Sequence, residues 1–177
     1  MKAEHLVNPE QSSKSGELVR LAGWLALPVT VGGLSGLVTA GAVKTWYQTL
    51  TAPPFAPPDW LFGPVWTGLY LMMGLAAYLA GRAARRSGAV QASRAANSLF
   101  IVQLALNGIW SLLFFGLQSP GLALVEIVVL WLAIGATVRQ FNRLSRLAAV
   151  LLVPYWGWVT FATVLNGAFW WLNRGPQ

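Results

Sequence analysis

Gln103, Asn107 and Trp110 stand at i, i+4 and i+7, which places them on one face of a helix. An amide inside an apolar helix is costly unless it is paired. Two readings fit these amides: hydrogen bonds that glue neighbouring helices together, or groups that line a cavity and meet a ligand's carbonyl or carboxylate. Trp66 and Tyr70 lie one helical turn apart, and so do Trp158 and Ala162. An indole offers a wide flat face and one N–H donor. Several such faces around a slot suit a flat ring system, and a packed aromatic core is the alternative. Glu126 is the one acid deep in an apolar run. An intramembrane carboxylate is read first as functional, and both a structural or dimer-interface role and direct work on a ligand or proton stay open.

Other chemistry is excluded by composition. The chain has no cysteine and a single histidine, His5, in a polar N-terminal stretch. That leaves no thiolate nucleophile, no disulfide, no Ser-His-Asp triad and no expected metal site. Net charge is +7. In a soluble domain this would suggest nucleic acid. Here the basic residues sit at the ends of apolar runs, so membrane topology accounts for them and no nucleic-acid partner is expected.

The elements that must position these residues are transmembrane helices. Charged residues make up 10% of the chain and hydrophobic ones 56%, more apolar surface than one soluble core of this size can hide. A lipid bilayer is the implied surrounding. A spanning helix needs about 20 apolar residues, and five such runs are present, at about 21–43, 60–81, 95–116, 119–139 and 147–172. The third and fourth come from one long run broken by Gly116, Pro120 and Gly121, with a short turn near 117–119 that makes these helices antiparallel neighbours. The fold class is an all-α membrane protein, a five-helix bundle in one domain over 18–174. Residues 1–17 are polar and aperiodic and read as a disordered tail. The first apolar run is too long for a signal-peptide core and is kept as a mature helix.

With five spans, Lys2, Lys14, Arg20, Arg82, Arg85, Arg86, Arg94, Arg139, Arg143 and Arg146 share one side, and only Lys44 and Arg174 lie on the other. The positive-inside rule puts the N-terminus in the cytoplasm. A bacterial cytoplasmic membrane is the expected location, with an outer membrane as the alternative. The first loop, KTWYQTLTAPPFAPPDW (44–60), holds Pro53, Pro54, Pro57 and Pro58 interleaved with Trp46, Tyr47, Phe55 and Trp60. Proline forbids a continuing helix and favours a stiff extended path. A short helical turn at 45–50 followed by a rigid segment would form a lid over the bundle. An aromatic belt at the membrane interface is the plainer reading.

Five blocks occur in order. They are Trp46-Tyr47 with APPFAPPDWLFGPVWTGLY (52–70), QLALNGIW (103–110), Phe114-Phe115-Gly116, ALVEIVVLW (123–131) and PYWGWVTFATVLN (154–166). The chain thereby resembles the tryptophan-rich sensory protein / translocator protein (TspO) family along nearly its whole length. The resemblance implies a five-helix bundle, usually a homodimer, that binds porphyrins such as protoporphyrin IX or heme, or other planar hydrophobic ligands, with no required cofactor. It implies a ligand-contacting set of Tyr47, Pro57, Trp66, Tyr70, Gln103, Asn107, Trp110, Trp158 and Ala162. Family members often carry an acid at the place of Glu126. Binding or sensing is the first functional reading. The alternatives are light- and oxygen-dependent porphyrin degradation, in which Trp66 and Trp158 would carry the electron chemistry, and transport of tetrapyrroles or sterol-like lipids. The sterol motif of animal members requires a tyrosine where this chain has Gly167.

Overall fold

The computed structural model describes residues 9–174, with side chains from Lys14 onward. Five long helices run through it: α1 (Pro9–Lys44), α2 (Asp59–Ser87), α3 (Val90–Ser111), α4 (Pro120–Leu144) and α5 (Arg146–Leu172). Each holds a stretch long and apolar enough to cross a bilayer. In lipid every backbone N–H and C=O must pair within the chain, and a helix does this segment by segment. The chain is an integral multi-pass membrane protein with the expected all-α five-helix architecture.

Local sequence explains where the helices stop. Asp59 occupies the first turn of α2, an anion at the positive end of the helix dipole. The same helix closes on Gly88, whose φ of 69° suits a residue without a side chain, with its amide donating to the Ala84 carbonyl. Pro120 opens α4, where no N–H is needed. Ser145 alone separates α4 from α5. Its amide closes α4 on the Phe141 carbonyl, and its Oγ accepts the Ala148 amide to cap α5.

Several expected boundaries move. The expected tail, 1–17, is helical from Pro9, and residues 1–8 lie outside the described residues. Proline is well accommodated in a first helical turn. Glu17 then ties this extension down: its carboxylate accepts from Arg20 and from the Tyr78 hydroxyl, both at 2.9 Å, and from Arg85 at 3.2 Å. α2 continues past residue 81 to Ser87, α3 starts at Val90 rather than 95, and α4 continues past 139 to Leu144. Arginine and alanine are strong helix formers, so the basic stretches prolong helices beyond their apolar spans instead of forming loops. α5 agrees with expectation to within one residue. The break at 117–119 is present and uses Gln118 at φ 51°.

The helices close into a ring in the order α1, α2, α5, α4, α3, with α3 returning to α1. The half nearest the arginines is solid. Ala76, Ala77 and Ala80 of α2 pack there with Phe100 and Phe141, all fully buried. Outward-facing residues are apolar instead, with Leu37 78% and Val125 68% exposed, as lipid contact allows. α1 is seated by Gly74 of α2. A Cβ at that position would lie 2.6 Å from the Trp24 carbonyl oxygen and 2.8 Å from the Leu25 Cα, both backbone atoms.

Gly74→Val is therefore expected to force α1 off α2 and to destabilise the bundle by about 1–3 kcal/mol, as overpacking does. Thermal unfolding in detergent measures it as a lowered midpoint. Gly33→Ala, where a Cβ meets nothing within 4 Å, should leave the midpoint in place.

Candidate functional site

The half of the bundle away from the arginines is hollow. A cavity of about 440 Å³ lies between α1, α2, the end of α3 and α5, beneath the first loop. The α1 wall is glycine-rich at its middle, with Gly32, Gly33, Ser35 and Gly36, and is completed by Val29, Thr39 and Val43. Gly33 and Gly36, with Gly63 and Thr67 facing them from α2, are exposed, so the cavity is open along the α1–α2 seam. The other walls are aromatic. Trp66 stacks on Tyr70 with ring centroids 5.3 Å apart at 27°. Trp110 stacks on Phe114 with the same separation and tilt. Phe62 meets Trp158 edge-on at 5.9 Å.

A π-helical turn, Leu112–Gly116, continues α3 at the cavity. Its wider winding turns the consecutive Phe114 and Phe115 both onto the cavity wall. π turns are rare and are frequent at functional sites. On α5, Trp158, Ala162, Leu165 and Phe169 follow at helical spacing and form the opposite wall.

The expected contact residues separate into two groups. Tyr47, Trp66, Tyr70, Trp110, Trp158 and Ala162 all line the cavity. Gln103, Asn107 and Pro57 do not. Asn107 lies behind the wall: its Oδ1 accepts from the Tyr70 hydroxyl at 2.7 Å, and its Nδ2 donates to the Tyr155 hydroxyl at 3.4 Å. It fixes a wall residue and joins α2, α3 and α5, rather than facing the cavity as a contact residue. Gln103 is buried, and neither side-chain polar atom has a partner among the described residues. Pro57 is half-buried in the loop. Glu126 is outside the cavity lining, and its two buried carboxylate oxygens lack partners among the described residues. The Trp158 indole N–H is also buried without a partner among the described residues, while the ring of Trp158 stands on the cavity wall.

The first loop covers this space as a built structure. The expected helical turn is present as a 3-10 turn, Trp46–Thr49. Tyr47 packs against Phe169 at 5.2 Å and Phe115 at 5.8 Å. Burial, with the Asp59 carboxylate nearby, pushes its phenol up to about 12, so the hydroxyl stays neutral and able to donate. Gln48 Nε2 donates to Asp59 at 2.8 Å. At the other end Asn173 grips the loop twice: its Oδ1 accepts the Thr51 amide at 2.8 Å, and its Nδ2 donates to the Thr51 carbonyl at 3.1 Å.

Some cavity residues escaped the sequence reading. Asn166 is one: its Oδ1 accepts from Trp110 Nε1 at 3.0 Å and its Nδ2 donates to the Pro120 carbonyl at 2.8 Å. Its place one turn beyond Ala162, on the face of Trp158, was a usable signal. Asp59, the acid that ends the proline run, was another. Phe114 and Phe115 had no such signal as wall residues, because the π turn cannot be read from residue spacing.

A helical membrane bundle with an aromatic cavity under a pinned proline-rich loop is the class defined by this geometry. The TspO/MBR family profile matches residues 24–172, and the chain belongs to this family. It is 40% identical over 156 residues to the "Tryptophan-rich protein TspO" of Archaeoglobus fulgidus, covering 88% of this chain and 98% of that one. It is 43% identical over 155 residues to the protein of the same name from Chlorobaculum tepidum, covering 85% and 93%. It is also 35% identical over 156 residues to the "Translocator protein" of Bos taurus, covering 88% and 91%. Family membership makes it a membrane protein of the sensor and translocator type.

Asn173→Ala is expected to free the loop. Amide hydrogen exchange of the segment around Thr51 should speed up by about tenfold or more, since each lost hydrogen bond contributes about 1 kcal/mol. Asn166→Ala should act elsewhere. It strands the Trp110 N–H and the Pro120 carbonyl, lowers the thermal midpoint, and leaves exchange at Thr51 unchanged.

Proposed function

We propose that this protein holds a porphyrin, such as protoporphyrin IX or heme, or another planar hydrophobic molecule, in the cavity beneath the first loop. The observation that carries the reading is an aromatic cavity of about 440 Å³ beneath the first loop, with Trp66, Tyr70, Trp110 and Trp158 on its walls. That volume lies within the usual range for small-molecule sites. Flat rings on three sides favour a flat ligand by stacking. Tyr47, Trp66, Tyr70, Trp110, Trp158 and Ala162 make the direct contacts, and Asn107 acts through Tyr70. The reading extends to a homodimer, on the strength of the family relationship. It also extends to a bacterial cytoplasmic membrane with the N-terminus inside, on the strength of the basic residues gathered at one end of the bundle.

A second reading is favoured by one observation: Trp66 and Trp158, the residues expected to carry electron chemistry, both line the cavity. In it, light and dioxygen oxidise the bound porphyrin. Illuminating the complex and following its absorbance tests this. A light-driven loss that proceeds at the same rate in a Trp66→Phe, Trp158→Phe variant would sink it.

Binding is tested by titrating the detergent-purified protein with protoporphyrin IX and following tryptophan fluorescence. Saturable quenching is expected. Trp66→Ala and Trp158→Ala should each weaken it roughly tenfold, equivalent to about 1.4 kcal/mol. Trp60→Ala, at a residue 72% exposed and outside the cavity lining, should not. Equal affinity in all four proteins would overturn the proposed pocket.

A further inference from the structure

The arginine-rich end of α2 divides its charges between two faces. Arg85 turns towards α1, where Glu17 pairs with it at 3.2 Å. Arg82 and Arg86, one turn apart, turn the other way into a recess of about 410 Å³. Leu79, Ala83 and Ser87 of α2 complete that recess, with Ser145 from the α4–α5 joint opposite. Among the described residues the ion pairs run only to Glu17, from Arg20 and Arg85. Arg82 and Arg86 thus stand as neighbouring like charges, which repel at this spacing, and Arg82 is half-buried.

The recess also contains a hydroxyl. Ser145 Oγ accepts the Ala148 amide, which leaves its own hydrogen to give. Guanidinium groups present planar forks that match phosphate oxygens. The recess changes character with depth: Arg86 and Ser87 stand at its outer end, and Leu79 lies about 10 Å deeper along α2, at 1.5 Å per residue. Its mouth is basic and its inner end apolar.

We infer that this recess is a binding site for a phosphate group, carried by an anionic phospholipid whose acyl chain runs inward past Leu79. A free phosphate ion shares the recognition chemistry but has no use for the apolar end. Basic pockets among transmembrane helices are a recognised form of lipid headgroup site. The site is separate from the aromatic cavity, which lies at the opposite end of the bundle.

The test is native mass spectrometry of the purified full chain in mixed micelles, titrated with phosphatidylglycerol or phosphatidylcholine. The expected result is retained phosphatidylglycerol that falls at least fivefold in Arg82→Gln, Arg86→Gln, with phosphatidylcholine unaffected. Arg139→Gln, Arg143→Gln removes the same charge from α4 and should retain the lipid. Equal loss in both double variants would mean diffuse attraction and would overturn the site. Arg82→Lys, Arg86→Lys keeps the charge without the forks and is expected to lose an intermediate amount. It also serves as the second variant if the glutamine protein fails to fold, and undiminished retention in a folded glutamine or lysine variant counts against the guanidinium site. Inorganic phosphate at millimolar concentration separates the sources. Failure to displace the lipid supports the phospholipid, and displacement at submillimolar phosphate overturns it in favour of the free ion.

Discussion

The structure depends on how closely α1 can approach α2. Gly74 admits the α1 backbone at Trp24 and Leu25, and that contact fixes α1 against the solid half of the bundle. Further along, α1 presents Gly32, Gly33 and Gly36 at the middle of the cavity wall, so only small side chains reach from α1 towards the aromatic walls. The cavity thus goes with small residues along one helix and a close backbone contact nearer its other end. Gly32 marks the transition. A Cβ there would run into the Tyr70 ring, the same ring that Asn107 holds by its hydroxyl.

Three asparagines organise the hollow half from bottom to top. Asn107 joins Tyr70 to Tyr155 behind the wall, Asn166 joins Trp110 to the start of α4, and Asn173 joins α5 to the first loop. In a low-dielectric interior such bonds are strong and an unmade one is expensive. Each amide uses both its donor and its acceptor, so each fixes two partners at once. Gln103 and Glu126 differ, since their polar atoms are buried and unpaired among the described residues.

Much of this was legible in the residues. Five apolar runs gave five helices because the bilayer imposes a length and demands internal hydrogen bonding. Trp66 with Tyr70, and Trp158 with Ala162, were placed on shared faces by their one-turn spacing, and those faces do meet at the cavity. Helix ends were less legible, because a hydropathy run stops at the first arginine while the helix does not. Arg82 to Arg86 and Arg139 to Arg143 remain helical outside the apolar span. Asn107 was placed on the right helix face, but which of two layers it occupies depends on how deeply Tyr70 sits, and no spacing rule contains that depth. The π turn altered the register of Phe114 and Phe115 by winding, which leaves no trace in composition.

On the proposed binding function, the seam between α1 and α2, where Gly33, Gly36, Gly63 and Thr67 are exposed, would make the bilayer itself the antechamber of the cavity. A hydrophobic molecule that enters this way is drawn from the lipid phase, so its mole fraction in the membrane governs occupancy, and its aqueous concentration matters only through partitioning. Two ligands with identical contacts would then differ in apparent potency by the ratio of their partition coefficients. The same ligand would show weaker apparent binding as the amount of lipid per protein rises.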